Sequence, residues 1–185
     1  MHNVTVAFAA LLVMLLSYFF GCFNGSFMVS HFIIRDDVRK HGSGNAGLTN
    51  FYRTYGAKYA LLVIACDMGK TVAACLLGSF FFRCLGWDGT LGTLLAGLGC
   101  ELGHIFPVFY GFRGGKGILS GGTLVLLLNW RVAAVAWALF LLLWLTTRYV
   151  SLASITATCS APITVYFVYG HNWLYTCLLY TSPSP

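Results

Sequence analysis

The 185-residue sequence has little charge, since only 9% of its residues are Asp, Glu, Lys or Arg, whereas a soluble domain has about 25%. So few charged residues exclude a soluble globular protein, a disordered protein and a nucleic-acid-binding module. The sequence also has a single glutamate, Glu101, and a carboxylate-bridged di-iron bundle needs several. Its seven cysteines are an odd number and lie mostly in apolar runs, which argues against a disulfide framework. We therefore predict no metal, no cofactor and no nucleic-acid partner.

In place of charge the sequence has long apolar runs, and 58% of its residues are hydrophobic. Runs of about 18 or more apolar residues indicate transmembrane helices. We predict an all-α fold, a polytopic membrane helical bundle in which residues 1–185 form a single integral membrane domain with about seven transmembrane helices, the last incomplete. The predicted helices are residues 4–23, 59–82, 90–112, 118–130, 132–147, 152–169 and, in part, 173–180.

Two segments of this layout do not have the length of one transmembrane helix. As one straight helix, residues 118–147 would be about 45 Å long and would place Arg131 near the bilayer centre, so we predict a hairpin at Asn129–Arg131. Residues 173–180 give about 12 Å of helix against a hydrocarbon core of about 30 Å, and prolines follow them. We therefore expect a truncated or misassembled copy of a longer chain, less stable and less active than that chain.

The basic residues predict the orientation. Loops after the first, third and fifth predicted helices hold eight Lys and Arg residues, and the loops on the other side hold two, Arg83 and Arg131. Because cytoplasmic loops carry the excess of Lys and Arg, this asymmetry predicts an N-terminus outside and these three loops in the cytoplasm. The eight residues are Arg35, Arg39, Lys40, Arg53, Lys58, Arg113, Lys116 and Arg148.

The first of these loops, residues 35–56, reads RDDVRKHGSGNAGLTNFYRTYG and is called the first motif below. Its glycines allow backbone N–H groups to converge on an anion, as in phosphate-binding nests. Neutral hydrogen bonds come from the side chains of Ser43, Asn45, Thr49 and Asn50, and positive charge comes from Arg39, Lys40 and Arg53. A solvated cytoplasmic loop with the same composition is the alternative interpretation.

The second motif, GHIFPVFYGFRGGKG at residues 103–117, places three glycines around Lys116 and resembles a phosphate cradle in which lysine supplies a point charge. It is not a Walker A sequence, because Gly117 stands where Ser or Thr is required. A flexible turn between helices is the alternative. The third motif, RYVSLASI at residues 148–155, places Ser151 and Ser154 on one face of a helix start, where capping by Ser151 is the simpler interpretation.

Two pairs of polar residues within predicted helices are candidates for contacts with each other. Asp67 and Lys70 are three residues apart and predict an intramembrane ion pair that supports the site, because an unpaired charge there costs about 2.5–3.5 kcal/mol. Glu101 and His104 also share a helix face, which predicts a hydrogen-bonded pair.

Together the motifs resemble a known family. GS at residues 25–26, the first motif from Asp37, D-x-x-K at 67–70, the second motif and YVSLASI at 149–155 are similar, in this order, to the bacterial acyl-phosphate:glycerol-3-phosphate acyltransferases, called PlsY. The resemblance implies a multi-pass enzyme of the bacterial inner membrane. It implies transfer of a fatty acyl group from acyl phosphate to the sn-1 hydroxyl of glycerol 3-phosphate, which yields lysophosphatidic acid and phosphate for phospholipid synthesis.

The resemblance, with the chemistry of the residues, implies the site. Acyl phosphate is already activated, so positioning and electrostatics suffice and no covalent nucleophile is needed. The general base stays open between His104 and a substrate phosphate oxygen. We expect a monomer in the lipid bilayer. The candidate catalytic residues are Lys116, His104, Ser43 and Asn45; the candidate phosphate-binding residues are Gly44, Arg39, Thr49, Asn50, Arg53, Gly114, Gly115, Ser151 and Ser154; the supporting residues are Asp67, Lys70 and Ser26.

Two other interpretations fit part of the sequence. A small membrane transporter of a phosphorylated metabolite would also use basic glycine-rich loops and intramembrane charges, but the polar groups lie on one side and internal repeats are not apparent. His31 and Asp36 match the His-x4-Asp dyad of acyltransferases with thioester donors. The motif that accompanies this dyad is absent, so we interpret the match as chance.

Overall fold

The structure, a computed structural model, describes residues 2–168 as helices joined by short connections. The helices are α1 His2–Cys22, α2 Gly25–Met28, α3 Leu48–Tyr55, α4 Ala57–Cys84, α5 Gly89–Ile105, α6 Ile118–Leu128, α7 Trp130–Thr147 and α8 Val150–Val168. A π-helical segment, Val29–Ile34, and two 3-10 turns, Val38–Lys40 and Val108–Tyr110, complete them. The predicted all-α membrane fold is thus confirmed, and the predicted partial helix at 173–180 lies outside the described residues.

Five helical runs are long and apolar enough to cross a membrane among the described residues: Val4–Ile34, Ala57–Cys84, Gly89–Tyr110, Trp130–Thr147 and Val150–Val168. α6, with 11 residues, is shorter than a membrane span. At the expected hairpin position, α6 ends at Leu128 and Asn129 caps α7, since its side-chain oxygen accepts hydrogen bonds from the backbone N–H groups of Arg131 and Val132.

The described residues divide into two packing units, one up to Leu124 and one from Val125 onward. In the first unit, α5 packs against α1 and α4 through glycines. A Cβ atom at Gly99 would overlap the backbone of Met14, and one at Gly103 would overlap the carbonyl group of Tyr18. Because small residues let helix backbones approach closely, this spacing of four brings α5 directly against α1. Gly78 and Gly92 make the same close approach between α4 and α5.

The second unit, as far as it is described, consists mainly of α7 and α8, which pack around the buried residues Val132, Ala161 and Val165. α7 is mostly apolar, whereas α8 carries six serine and threonine residues, and Pro162 lies inside α8.

The segment after α1 differs from the prediction. We expected the first helix to end at residue 23 and residues 24–58 to form one polar stretch. Instead, Asn24 caps α2, where its side-chain oxygen accepts a hydrogen bond from the N–H of Phe27, and the helical path continues to Ile34. Residues 27–34 are mostly apolar, so the hydrophobic run extends beyond Asn24 and Gly25, which resemble a helix end. α3, also within the expected loop, buries Asn50 and Phe51.

Candidate functional site

A buried group of charges joins α1, α4 and α5 in the first unit. The ammonium group of Lys70 lies 2.8 Å from Oδ1 of Asp67, and the side chains are only 7% and 2% exposed. The same Asp67 oxygen accepts a hydrogen bond of 3.0 Å from the backbone N–H of Gly25. Buried charges are tolerated when they are paired and hydrogen-bonded, and this pair meets both conditions.

Lys70 also binds the end of α1. Its ammonium group donates to the carbonyl oxygens of Gly21, at 3.1 Å, and Phe23, at 3.0 Å. These carbonyls belong to the last turn of α1 and the residue after it, where backbone carbonyl groups have no hydrogen-bond partner within the helix. Lys70 further lies 2.9 Å from Nδ1 of His104 on α5. The ammonium group therefore holds three transmembrane helices together at one end.

The first motif is anchored by an asparagine that the prediction omitted. Asn24 is fully buried, and its amide nitrogen donates a 2.9 Å hydrogen bond to the carbonyl of Ala46. The N–H of Ala46 in turn donates to the carbonyl of Gly114, at 3.3 Å. The two glycine-rich motifs are therefore adjacent in space, joined backbone to backbone at Ala46 and Gly114.

Asn50 organises the interior of the first motif. Its amide nitrogen donates to the carbonyls of Val38, His41 and Asn45, and its oxygen accepts from the N–H of Ser43. This network engages both ends of the side-chain amide of Asn50, which we had expected to contact phosphate. The structure thus places Asn50 as the residue that shapes the loop. At Gly42, where φ is +55°, a Cβ atom would overlap this amide.

The second motif folds back on α5. The N–H of Gly114 donates to the carbonyl of Ile105, at 3.2 Å, and the N–H of Gly115 donates to that of His104, at 3.1 Å. These amides, which we had assigned to a phosphate cradle, satisfy the free carbonyls at the helix end instead. The absence of side chains is still required, because a Cβ atom at Gly114 would overlap the carbonyl of His104.

Other groups beside this junction have no partner within the described part of the chain. The exposed side chains of Lys116 and Ser43 make no ion pair or hydrogen bond there. The backbone N–H groups of Asn45, Gly47, Lys116 and Gly117 likewise donate to no described residue. The motifs approach closely at this point, since a Cβ atom on Gly47 would lie 2.8 Å from Oδ1 of Asn45 and 4.0 Å from the nitrogen of Lys116. Free amides and a cation without a partner, brought this close together, are groups that suit an anion.

Arg39 connects the two motifs at a second point. Its guanidinium group forms a salt bridge of 2.9 Å with Asp37, donates to the carbonyl of Tyr110 at 2.9 Å and lies 4.5 Å from the ring centre of Phe27. These contacts involve all three guanidinium nitrogens, since Nε and Nη2 face Asp37 and Nη1 faces Tyr110. Arg39 therefore acts first as a clamp between the motifs.

A carboxylate near the start of the first motif has its own hydrogen-bond network. Asp36 accepts from the backbone N–H of Asp37, at 2.7 Å, and from the hydroxyl of Tyr55, at 2.9 Å, and it lies 2.8 Å from Nε2 of His41. These hydrogen bonds, the backbone one above all, hold the pKa of Asp36 below its usual range. Burial, and then the bond to Asp36, raise the pKa of Tyr55 to about 12.

The remaining predicted residues lie in different surroundings. Thr49 and Arg53 are on α3, the first partly buried and the second exposed. Ser26 is fully buried, and its hydroxyl has no described partner. Ser151 and Ser154 lie near the start of α8 in the second unit, where the hydroxyl of Ser154 donates to the carbonyl of Ser151. Gly44, with φ at +70°, lies in a turn, and its N–H donates to the carbonyl of His41.

We predicted a hydrogen bond between the side chains of Glu101 and His104, and the structure differs from this prediction. No hydrogen bond joins the two side chains within the described residues. The carboxylate of Glu101 lies instead against Gly117 and Gly121 at the start of α6, where a Cβ atom on Gly117 would overlap Oε1. With φ at +74°, Gly117 also has the left-handed backbone conformation that favours glycine.

Sequence reasoning missed Asn24 and the free amides of residues 45, 47, 116 and 117. A signal for Asn24 existed, because an asparagine directly before Gly25 at the end of an apolar run is typical of a helix cap. The amides carried no such signal, since their availability depends on which neighbouring amides bind the end of α5.

Known proteins similar to this chain belong to one family. A sequence profile of the family described as glycerol-3-phosphate acyltransferase matches residues 11–182. A glycerol-3-phosphate acyltransferase of Finegoldia magna is 40% identical over 146 residues, which cover 79% of this chain and 71% of the relative. One from Syntrophomonas wolfei is 38% identical over 167 residues, covering 90% and 81% of the two chains.

Solved structures give the same result. A crystal structure of PlsY (YgiH), an integral membrane glycerol 3-phosphate acyltransferase in its glycerol 3-phosphate form, superposes with a TM-score of 0.75 and 35% identity. That match covers 92% of this chain and 84% of PlsY. The lysophosphatidic acid form of PlsY superposes with a TM-score of 0.73 and 33% identity, over 92% of this chain and 83% of the other.

Proposed function

Since the chain belongs to the family of membrane glycerol-3-phosphate acyltransferases, we propose that it transfers a fatty acyl group from an acyl phosphate to the sn-1 hydroxyl of glycerol 3-phosphate. The hydroxyl oxygen bonds to the carbonyl carbon, the bond from that carbon to the phosphate oxygen breaks, and the hydroxyl proton ends on the released phosphate. The products are lysophosphatidic acid and inorganic phosphate.

The observation that carries the proposal is the junction of the two motifs. Lys116 is exposed and has no ion-pair partner in the described part of the chain, and its backbone nitrogen lies 4.0 Å from where a Cβ atom on Gly47 would be. The N–H groups of Asn45 and Gly47 are free within the same described part. A cation and converging N–H groups suit a dianionic phosphate, and preorganised donors act most strongly on charge that develops during the reaction. We assign Lys116, Ser43 and Asn45 to the reacting groups.

Other residues are assigned to the second phosphate and to support. Thr49 and Arg53, on α3 directly after the first motif's glycines, offer a hydroxyl and a cation for glycerol 3-phosphate. The role of Ser151 and Ser154 stays a prediction from the sequence. Asn50, Gly44, Gly114 and Gly115 shape the loops, Arg39 clamps them, and Asp67, Lys70 and Ser26 support the site from the adjoining helices.

The acyl chain is assigned to an apolar cleft between α1 and α4 with a volume of about 310 Å³. Its lining includes Leu16 and Phe20 of α1 and Ala74 and Leu77 of α4. Ala74 follows Lys70 by one helical turn, about 6 Å along α4. A chain in this cleft would therefore begin near the Lys70 end of the site and extend towards the opposite side of the bilayer.

We further propose that the enzyme works as a monomer in the bacterial inner membrane, with its N-terminus outside and both glycine-rich motifs in the cytoplasm. The asymmetry of Lys and Arg supports this orientation. A transporter of a phosphorylated metabolite is not proposed, because membership in an acyltransferase family accounts for the same loops.

The test is phosphate release by purified protein in lipid, given palmitoyl phosphate and glycerol 3-phosphate. Lys116→Ala should lower the rate about 10- to 150-fold, the equivalent of one charge-assisted contact of about 1.5–3 kcal/mol. Lys58→Ala is the matched control, because Lys58 is also an exposed basic residue, at the start of α4, and should stay within about twofold. No release by the wild-type chain would contradict the function, and a Lys116→Ala rate within twofold of wild type would remove Lys116 from the site.

A further inference from the structure

His104, in the second motif, is the site residue whose role is still open, and its two ring nitrogens have different surroundings. Nδ1 lies 2.9 Å from the Lys70 ammonium group and 3.5 Å from Oδ1 of Asp67. Nε2 lies on the other side of the ring, against Gly115, where a Cβ atom would overlap it. The ring itself is 3% exposed, so the protein fixes its orientation.

These contacts decide which nitrogen carries the proton. An ammonium group has only donors, so the nitrogen 2.9 Å from it faces it with a lone pair and not with a second proton. The three ammonium protons are shared among this nitrogen and the oxygens of Asp67, Gly21 and Phe23. A proton on Nδ1 would point at the positive charge of Lys70, and its alternative acceptor, Asp67, is 3.5 Å away, beyond ordinary hydrogen-bond length. In the neutral ring, the proton is then on Nε2.

We propose that His104 acts in the reaction as a hydrogen-bond donor through Nε2–H, and that Lys70 is the positioning residue that sets this tautomer. The inference rests on the proposed function. A ring whose Nδ1 accepts from Lys70 and whose Nε2 holds a proton has no free lone pair, so it cannot be the base that takes the hydroxyl proton. That proton goes instead to an oxygen of the acyl phosphate, which leaves with it.

The position of Nε2 indicates what it donates to. Within the described part of the chain Nε2 has no hydrogen-bond partner. It faces Gly115, one residue before Lys116, and the same side of Gly115 lies close to the carbonyl of Ala46 in the first motif. The N–H is therefore directed to the junction where the phosphate, or the oxyanion formed from the acyl carbonyl, is assigned. A donor at that place stabilises negative charge that grows in the transition state.

The first experiment compares two substitutions of His104. The amide nitrogen of glutamine reaches about as far as Nε2 and can donate but cannot act as a base, whereas that of asparagine reaches only as far as Nδ1. We expect His104→Asn to lower kcat about 100-fold, as for loss of one oxyanion donor, and His104→Gln to keep kcat within about tenfold of wild type. Equal loss in both variants, with wild-type thermal unfolding, would overturn the donor role and favour a base.

The second experiment reads the tautomer without activity. Nitrogen-15 NMR of histidine-labelled protein in lipid distinguishes a protonated from an unprotonated ring nitrogen, and His104→Gln identifies the signal among the five histidines of the chain. We expect Nε2–H in the wild type and a shift to Nδ1–H in Lys70→Met, where Nδ1 is free to donate to Asp67. Nδ1–H in the wild type would overturn the inference.

These outcomes separate the two proposals. A wild-type chain without acyl transfer refutes the proposed function, whatever the tautomer. An active wild-type chain with Nδ1–H, or with an inactive glutamine variant, refutes only the role of His104. If Lys70→Met unfolds, Lys70→Arg keeps a cation at the position and should preserve Nε2–H.

Discussion

The buried ion pair of Asp67 and Lys70 gives the sharpest test of how the helices are held together. Asp67→Asn keeps the shape of the side chain and its hydrogen-bond acceptor for Gly25 but removes the charge. The ammonium group of Lys70, 7% exposed, is then left beside neutral acceptors only. Removal of one partner of a buried pair costs about 3–5 kcal/mol, because the other charge stays buried without compensation.

The double variant decides whether the cost belongs to the pair. Lys70→Met alone strands the carboxylate in the same way and should also cost about 3–5 kcal/mol. Asp67→Asn/Lys70→Met buries no charge, so its cost should be no larger than that of either single variant, which implies a coupling energy of about 3 kcal/mol. The free energy of unfolding is measured for all four proteins by reversible unfolding in lipid bicelles. Additive losses would show that the two residues stabilise the fold independently and would refute the pairing.

Three further outcomes are expected. In Tyr55→Phe, the pKa of Asp36 should rise towards its ordinary value, because the hydrogen bond from the Tyr55 hydroxyl is lost. A carboxyl group with a lowered pKa stabilises the fold above its unfolded pKa, and this stability is lost as pH falls through the folded pKa. Hydrogen exchange of the first motif should therefore increase at a higher pH than in the wild type. Leu16→Trp, within the cleft, should shift preference to shorter acyl phosphates, while Leu15→Trp, equally exposed at 53% against 55% but outside the lining, should not. His31→Ala should leave phosphate release within about twofold, and a collapse with normal expression would revive the thioester-donor mechanism.

Most of the helices follow from the sequence because their cause is local. An apolar run long enough to cross the bilayer must satisfy its own backbone, so residues 57–84 or 130–147 have no alternative to a helix. The break at Asn129 was predictable for another reason, because one straight helix over residues 118–147 would be about 45 Å long and would place Arg131 near the bilayer centre. The extension of the first run to Ile34 was not, because Asn24 and Gly25 resemble a helix end.

The site was harder to predict because its geometry depends on contacts between distant segments. The motifs identified Lys116 and the glycines, but not which amides stay free. Gly114 and Gly115 use their N–H groups on carbonyls of α5, and Asn50 uses its whole amide within the loop. Composition cannot separate an amide that binds a ligand from one that closes a helix end. The ion pair of Asp67 and Lys70 was predictable from their spacing alone. The contact of Lys70 with His104 was not, because His104 lies on another helix.

The measurement that tests the central claim most directly follows an oxygen isotope. Palmitoyl phosphate labelled with oxygen-18 in the bridge between carbonyl carbon and phosphorus is given with glycerol 3-phosphate to the purified chain in lipid. If the hydroxyl attacks the carbonyl carbon, the label leaves with the phosphate, and phosphate and lysophosphatidic acid form in equal amounts. Label retained in free fatty acid, or phosphate formed without lysophosphatidic acid, would contradict acyl transfer.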